Sequence, residues 1–198
     1  MPASIEKLKI SGRCNVWWTL PQPIFHLPPK LVSFECSTAL PNWMIARLPQ
    51  TLQCLKCEGS FNGNNDLEWA ACLPPRLTEL SIRGWKLAKS GKTKASKLQT
   101  AIRLLPVNLT SLEVLHPSSL ASLQALLKLL SHLPLRDLSV RDSALSLSAQ
   151  HLSVETVALL PNTLTAFRSF ETMYVIHNAA LRALPQHIQT LHLFHHRQ

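Results

Sequence analysis

The sequence predicts an α/β repeat protein, a solenoid of about eight parallel strands that alternate with short helices. Three observations predict it. A short leucine-containing phrase recurs along the chain, its last positions alternate apolar and variable residues, and an apolar, helix-prone run precedes most copies. One such unit cannot bury its own apolar face, whereas stacked units bury a continuous core. We therefore predict a single domain over residues 1–198.

The recurring phrase is Leu-Pro-x-x-Leu-x-x-Leu-x-apolar. Eight copies begin at Ile5, Leu27, Leu48, Leu73, Leu105, Leu133, Leu160 and Leu184. The first copy lacks the Leu-Pro, the copy from Leu133 is shortened, and the copy from Leu160 lacks the last apolar residue. Alternation with a period of two predicts a strand with one buried face. Counted from their first apolar residues, the eight strands are predicted to start at Ile5, Leu31, Leu52, Leu77, Leu109, Leu135, Leu164 and Ile188.

The Leu-Pro pair predicts where each helix stops and each strand begins. Proline has a fixed φ and no N–H, and it disfavours the helical conformation at the residue before it. The runs that it would end are apolar and helix-prone, namely WMIARL, LEWAACL, LQTAIRLL, SLASLQALLKLLSHL, VETVALL and IHNAALRAL. Each unit is therefore predicted to be a strand, a loop and a short helix.

This pattern resembles the leucine-rich-repeat family over nearly the whole chain. The Leu-Pro start and the stretch Gly59-Ser-Phe-Asn62 are similar to the irregular LPxxL repeats, including FNIP repeats, of amoebae and other protists. The resemblance implies a horseshoe with a concave parallel sheet and convex helices. It also implies that partner proteins bind the concave face through the variable strand positions.

Two parts of that concave face differ in character. In the first half, Lys9, Glu35 and Lys56 are expected to pair across neighbouring strands. The second half brings together apolar, aromatic and basic residues, a mixture typical of interface anchors. The predicted partner-binding residues are Leu115, His116, Arg141, Arg168, Phe170, His192 and Phe194. The alternative is that Phe170 turns inward in place of Ser169.

The charge distribution indicates a second contact element. The formal net charge is +9, and the segment from Arg83 to Arg103 contains seven basic residues and no acid. We predict a long basic loop over residues 84–97. It could contact phosphates or an acidic partner, or serve only solubility and protection of the sheet edge. The residues concerned are Arg83, Lys86, Lys89, Lys92, Lys94 and Lys97.

The stretch Ser90-Gly-Lys-Thr93 has the ending of a phosphate-binding loop. Such a loop requires a glycine five residues before Gly91, where backbone amides wrap the phosphates, but that position is Lys86. No other catalytic motif is present in the sequence, so we predict a protein that is not an enzyme and uses no cofactor or metal.

The cysteines have no regular spacing and are predicted to be reduced thiols. Cys54 and Cys57 are three residues apart on one strand, so they point to opposite faces and cannot share a metal. Cys36 and Cys57 should face the core, and Cys54 the open face.

The predicted function is a non-catalytic protein–protein interaction module that binds its partner on the concave face. Two alternatives remain. One is a subunit of a ribonucleoprotein or other large assembly that contacts phosphates through the basic loop, and the other is the substrate-recognition part of a ubiquitin-ligase adaptor. No secretion signal or membrane span is evident, which predicts a cytoplasmic or nuclear protein. The solenoid ends are expected to be covered by another chain.

Overall fold

The computed structural model describes residues 4–11, 26–38, 40–58, 67–82, 99–116, 120–142, 150–170 and 174–193. These residues belong to two compact units. The first contains the described residues up to Leu109, and the second contains those from Thr110 onward. Each unit is described by itself below.

The first unit is a four-stranded parallel sheet with short helical segments between its later strands and after the last one. The strands lie in chain order and are β1 (Lys7–Ile10), β2 (Ser33–Cys36), β3 (Cys54–Cys57) and β4 (Glu79–Ile82). The helical segments are α1 (Asn42–Ile45), a 3-10 helix (Leu67–Cys72) and residues 99–103.

The second unit has a four-stranded and a two-stranded parallel sheet. Its described strands are β5 (Ser111–His116), β6 (Asp137–Asp142), β7 (Gln150–Leu152), β8 (Ala166–Phe170), β9 (Tyr174–Ile176) and β10 (Thr190–Leu193). The larger sheet has the order β5-β6-β8-β10, and β7 pairs with β9. Its helices are α2 (Leu120–Leu130), α3 (Val154–Val157) and α4 (Asn178–Arg182).

The repeat pattern located all eight strands of the two four-stranded sheets. Each strand begins two residues after the apolar residue at which it was predicted to start, for example Glu79 after Leu77 and Thr190 after Ile188. The offset arises because that apolar residue still belongs to a turn. The pairing of β7 with β9 was not predicted.

The turn is built from the backbone of the Leu-Pro phrase. The amide of Leu48 donates to the carbonyl of Ile45 at 3.1 Å, which closes the end of the preceding helix. Pro49 has no N–H, so it cannot continue that helix. Its carbonyl instead accepts the amide of Leu52 at 3.0 Å. The same pair of bonds recurs in the copies that begin at Leu73, Leu105, Leu160 and Leu184.

Neighbouring repeats are joined by a second recurring backbone contact. The carbonyl of Val32, just before β2, accepts both the amide of Gln53 at 2.8 Å and that of Cys54 at 3.0 Å. In the later repeats, one carbonyl accepts two successive amides in the same way. These carbonyls belong to Gln53, Thr110, Arg136 and Thr165. The register between repeats is therefore set by main-chain groups that every residue carries.

The leucines of the phrase form the core behind each sheet. In the copy from Leu48, the inward positions Leu52, Leu55 and Cys57 are at most 1% exposed. The inward residues of the last repeat are less covered: Leu191 and Leu193 are half-buried. In place of the missing apolar residue of the copy from Leu160, Ser169 occupies the inward position and is 1% exposed.

The stability of the fold should depend on the inward positions and not on the turn residues beside them. We expect Leu109→Ala, at a fully buried position, to lower the free energy of unfolding by about 2–5 kcal/mol, since it leaves a cavity. Val107 lies in the same phrase but is 73% exposed, so Val107→Ala is the matched control. This substitution should change the free energy of unfolding by about 0.5 kcal/mol or less. Urea unfolding measures both. Equal losses would contradict the assignment of Leu109 to the core.

Candidate functional site

The face of each four-stranded sheet opposite the buried leucines, here called the open face, presents rows of side chains in register. In the first unit one row is Lys7, Ser33, Cys54 and Glu79, and the next is Lys9, Glu35, Lys56 and Ser81. In the second unit the corresponding rows are Ser111, Asp137, Ala166 and Thr190, then Glu113, Ser139, Arg168 and His192. Residues in one row lie about 5 Å apart between neighbouring strands, close enough for their side chains to interact.

Charged residues of the open face in the first unit pair with one another. Lys9 Nζ donates to Glu35 Oε1 at 2.7 Å, as the sequence predicted. Lys56 Nζ lies 3.6 Å from Glu79 Oε2, a diagonal contact between β3 and β4 that the sequence analysis did not foresee. These pairs are largely exposed to solvent, so each contributes little to stability. Much of the charge on this face is thereby neutralised internally.

Cys54 lies on the open face, as predicted, beside an acid. Its thiol donates to Glu79 Oε2 at 3.3 Å. Burial raises the pKa of the Cys54 thiol above its usual value, and the negative charge of Glu79 adds to this effect. The nucleophilic form of a thiol is the thiolate, so Cys54 is less reactive at neutral pH than an ordinary exposed cysteine.

The open face of the second unit contains a more buried ion pair. Arg168 Nη1 donates to Asp137 Oδ2 at 2.5 Å, and the two side chains are 33% and 29% exposed. Asp137 begins β6 and Arg168 is central in β8, so the contact runs diagonally across the sheet. The residue in register with Arg168 on β6 is Ser139, a small side chain over which the arginine can extend. Arg168 is thus held in one place by a charge-assisted hydrogen bond.

Strand register also brings together three other predicted partner-binding residues. Leu115 pairs with Arg141, and Arg141 pairs with Phe170, so these residues form a third row across β5, β6 and β8. His116 pairs with Asp142 at the end of the same strands. Phe194 lies outside the described residues. Ser169 itself lies at the inward position and is buried.

The row that contains Arg168 continues onto the last strand. His192 is in register with Arg168 and is exposed. The structure therefore places Arg168 and His192 side by side, one row away from Leu115, Arg141 and Phe170. Every member of the predicted basic set, Arg83, Lys86, Lys89, Lys92, Lys94 and Lys97, lies outside the described residues, so the proposed phosphate contact remains a prediction.

Asp137 is the residue of this face that the sequence analysis missed as a partner of Arg168. The signal was present in the shortened copy LPLRDLSV, where Asp137 stands at the first open-face position of its strand. Arg168 occupies the second open-face position of the neighbouring strand, which gives the diagonal spacing that long side chains can span.

Two further cysteines pack against each other inside the first unit. Cys36 and Cys57 are in register on β2 and β3, are at most 1% exposed, and their sulfurs are 3.5 Å apart. The hydrogen bond with Cys36, together with burial, raises the pKa of the Cys57 thiol well above its usual value. Both are free thiols, as predicted, and fill inward positions where most other repeats have Ile, Val or Leu.

The interior of the second unit contains a cavity of about 10 Å³. It is lined mainly by apolar side chains of α2 and the last repeats, among them Leu127, Phe167 and Leu191. Thr156 is the polar residue of the lining, and its hydroxyl accepts a hydrogen bond from Gln124 Nε2 at 2.9 Å. A cavity of this size holds about one water molecule and has no room for an organic ligand.

In the part of the chain that the structure describes, no cluster of three or more His, Cys, Asp or Glu side chains is placed to hold a metal ion. Among the described helices, none has the length and hydropathy that crossing a membrane requires.

Parallel strands joined through Leu-Pro turns and short helices, with leucines at the inward positions, define a leucine-rich-repeat solenoid of the α/β class. A search of solved structures gives the leucine-rich repeat-containing protein LegL7 from Legionella pneumophila as a similar protein. The match has 16% sequence identity and a TM-score of 0.37 and covers 83% of this chain and 72% of LegL7. No protein-family profile and no curated protein matches the sequence. The FNIP-like subtype remains a prediction.

The ion pair between Arg168 and Asp137 should contribute more to stability than the pair between Lys9 and Glu35. Arg168→Met leaves the Asp137 carboxylate partly buried without its cation, and we expect a loss of about 1–2 kcal/mol in the free energy of unfolding. Lys9→Met is the control because that pair is more exposed, at 63% and 37%, and should cost about 0.5 kcal/mol or less. Urea unfolding at one salt concentration compares the two, and equal costs would contradict the difference in burial.

The described cysteines should differ in their rates of alkylation by iodoacetamide. Cys72 is exposed and should react first at neutral pH. Cys54 should react more slowly, and its rate should keep rising to a higher pH, because its raised pKa leaves less thiolate at any given pH. Cys36 and Cys57 should react only as fast as the unit opens. Pulsed labelling with mass spectrometry measures each site, and labelling of Cys57 at the rate of Cys72 would contradict the buried pair.

Proposed function

We propose that this protein is a non-catalytic protein-interaction module that binds a partner protein on the open face of its second unit. The observation that supports this most is the arrangement of Arg168: it is one-third exposed, fixed by Asp137 and in register with an exposed histidine. A positioned arginine on a rigid strand loses little conformational freedom when a partner binds, which favours its use as an anchor.

The third row of the same sheet supports the proposal from the strand register. Leu115, Arg141 and Phe170 follow one another across β5, β6 and β8. Aromatic and arginine residues are enriched among the positions that dominate binding energy at protein interfaces. The open face of the first unit differs, because Lys9 pairs with Glu35 and Lys56 pairs with Glu79. We therefore assign binding to the second unit.

The test uses the tagged full chain in lysate from its native cells, with co-purifying proteins identified by mass spectrometry. We expect a small set of proteins to be recovered with the unaltered chain and lost with the double variant Phe170→Ser/His192→Glu. The control is Lys7→Glu, which introduces a similar charge on the open face of the first unit and should keep the partners. Urea unfolding of the double variant shows whether it is folded.

Two outcomes would count against the proposal. Retention of all partners by a folded Phe170→Ser/His192→Glu variant would exclude the open face of the second unit as the binding surface. Loss of the partners after nuclease treatment would instead support the alternative in which the protein belongs to a ribonucleoprotein assembly. In that case the basic residues from Arg83 to Lys97 become the candidate contact.

A further inference from the structure

The turns that precede the strands form a second surface, distinct from the open face. They stack on one another within each unit. Thr51 Oγ1 donates to the carbonyl of Pro29 in the preceding turn at 3.0 Å, and Asn108 Nδ2 donates to that of Pro75 at 3.3 Å. In the second unit Thr163 Oγ1 donates to the carbonyl of Leu135 at 2.7 Å. We call the residues directly before the strand-starting leucines or isoleucine the turn row: Lys30, Thr51, Arg76 and Asn108 in the first unit, and Thr163 and His187 in the second.

In the first unit, basic residues alternate along this row with residues that hydrogen-bond to the preceding turn. The order is Lys30, Thr51, Arg76 and Asn108. The threonines bond to the turn before them, whereas the basic side chains are exposed. The first unit therefore has two basic side chains of this row, Lys30 and Arg76, separated by one uncharged repeat.

The cations of the turn row have no acidic partner in the described part of the chain. No carboxylate of the described residues lies within ion-pair distance of Lys30 or Arg76. Nearby acids are engaged on the open face instead, since Glu79 contacts Lys56 and Asp137 contacts Arg168. Among the described residues, the positive charge of Lys30 and Arg76 is therefore not paired with an acid, and it attracts an anionic partner.

The spacing of these cations fits an extended peptide. Lys30 precedes β2 and Arg76 precedes β4, with β3 between them, so their turns lie about 10 Å apart, twice the strand spacing. Three residues of an extended chain span about the same distance, at roughly 3.3 Å per residue. Carboxylates at positions i and i+3 of one extended segment can thus reach both cations.

The neighbouring turn residues favour a peptide over single-stranded nucleic acid. Pro29, Pro75 and Val107 are exposed beside the basic residues, and Val107 is 73% exposed. None of the turn-row phrases of the first unit contains an aromatic residue in its two variable positions. Single-stranded nucleic acids are bound largely by stacking of bases on aromatic side chains. An acidic segment with small apolar residues matches this surface better.

We propose that the turn row of the first unit binds an extended acidic peptide segment of a partner protein, with carboxylates three residues apart on Lys30 and Arg76. This surface lies at the start of the strands, and its use does not depend on the open face of the second unit. Each of the two proposals can therefore fail without the other.

Fluorescence anisotropy of the full chain tests the proposal. The probe is a fluorescein-labelled peptide with Glu at every third position and Val, Pro or Ser between. We expect saturable binding at low salt, weakened about fivefold or more by Lys30→Ser/Arg76→Ser, since two exposed ion pairs are lost. The matched control is Lys7→Ser/Arg103→Ser, which removes two exposed cations of the same unit and should bind nearly as well as the unaltered protein.

Four results would overturn the proposal. Absence of saturable binding rules out the site for this class of peptide. Equal weakening by both double variants would show general charge attraction and no defined site. Equal affinity for the peptide with Gln in place of Glu would remove the role of the carboxylates. Tighter binding of oligouridylate that is lost in Lys30→Ser/Arg76→Ser would assign the row to nucleic acid instead.

Discussion

The rest of the structure depends on the backbone of the Leu-Pro turn. Proline cannot donate a hydrogen bond, so the helix before it must stop, and its carbonyl is then available to the amide three residues later. That bond fixes the direction in which the chain enters the next strand. The following residues give one carbonyl to two amides of the neighbouring repeat. Sheet order, register and the inward direction of the leucines all follow from this sequence of main-chain contacts.

Most of the fold could be predicted from the sequence because the repeat is a local pattern with a period of its own. The number and order of the repeat strands, their positions to within two residues, the inward position of Cys36 and Cys57 and the pairing of Lys9 with Glu35 follow from counting along the phrase. The two-stranded sheet of β7 and β9 does not, because those residues lie between the phrases and pair only when the repeats are already stacked. Interactions that need the assembled stack have no local signature.

The candidate site was predictable to the level of the strand register. Once the repeats are aligned, Leu115, Arg141 and Phe170 must fall in one row. The alignment of the repeats does not predict which residue a long side chain contacts. Arg168 contacts Asp137 on a neighbouring strand but in another row, and Lys56 contacts Glu79 in the same diagonal way. The residue that such a side chain contacts depends on the position of the opposite charge and on the size of the residue between them.

The carbonyl that accepts two amides has a consequence for how such a chain can change over time. Its partners are main-chain amides, so this contact between two repeats does not require particular side chains at the residues that form it. Where the structure describes the contact between two repeats, the interval between predicted strand starts varies from 21 to 29 residues, yet the contact has the same form. A repeat can therefore lengthen, or be duplicated or removed as a whole, without requiring compensating substitutions in the repeat beside it. The number of repeats in such a fold can therefore change by whole units.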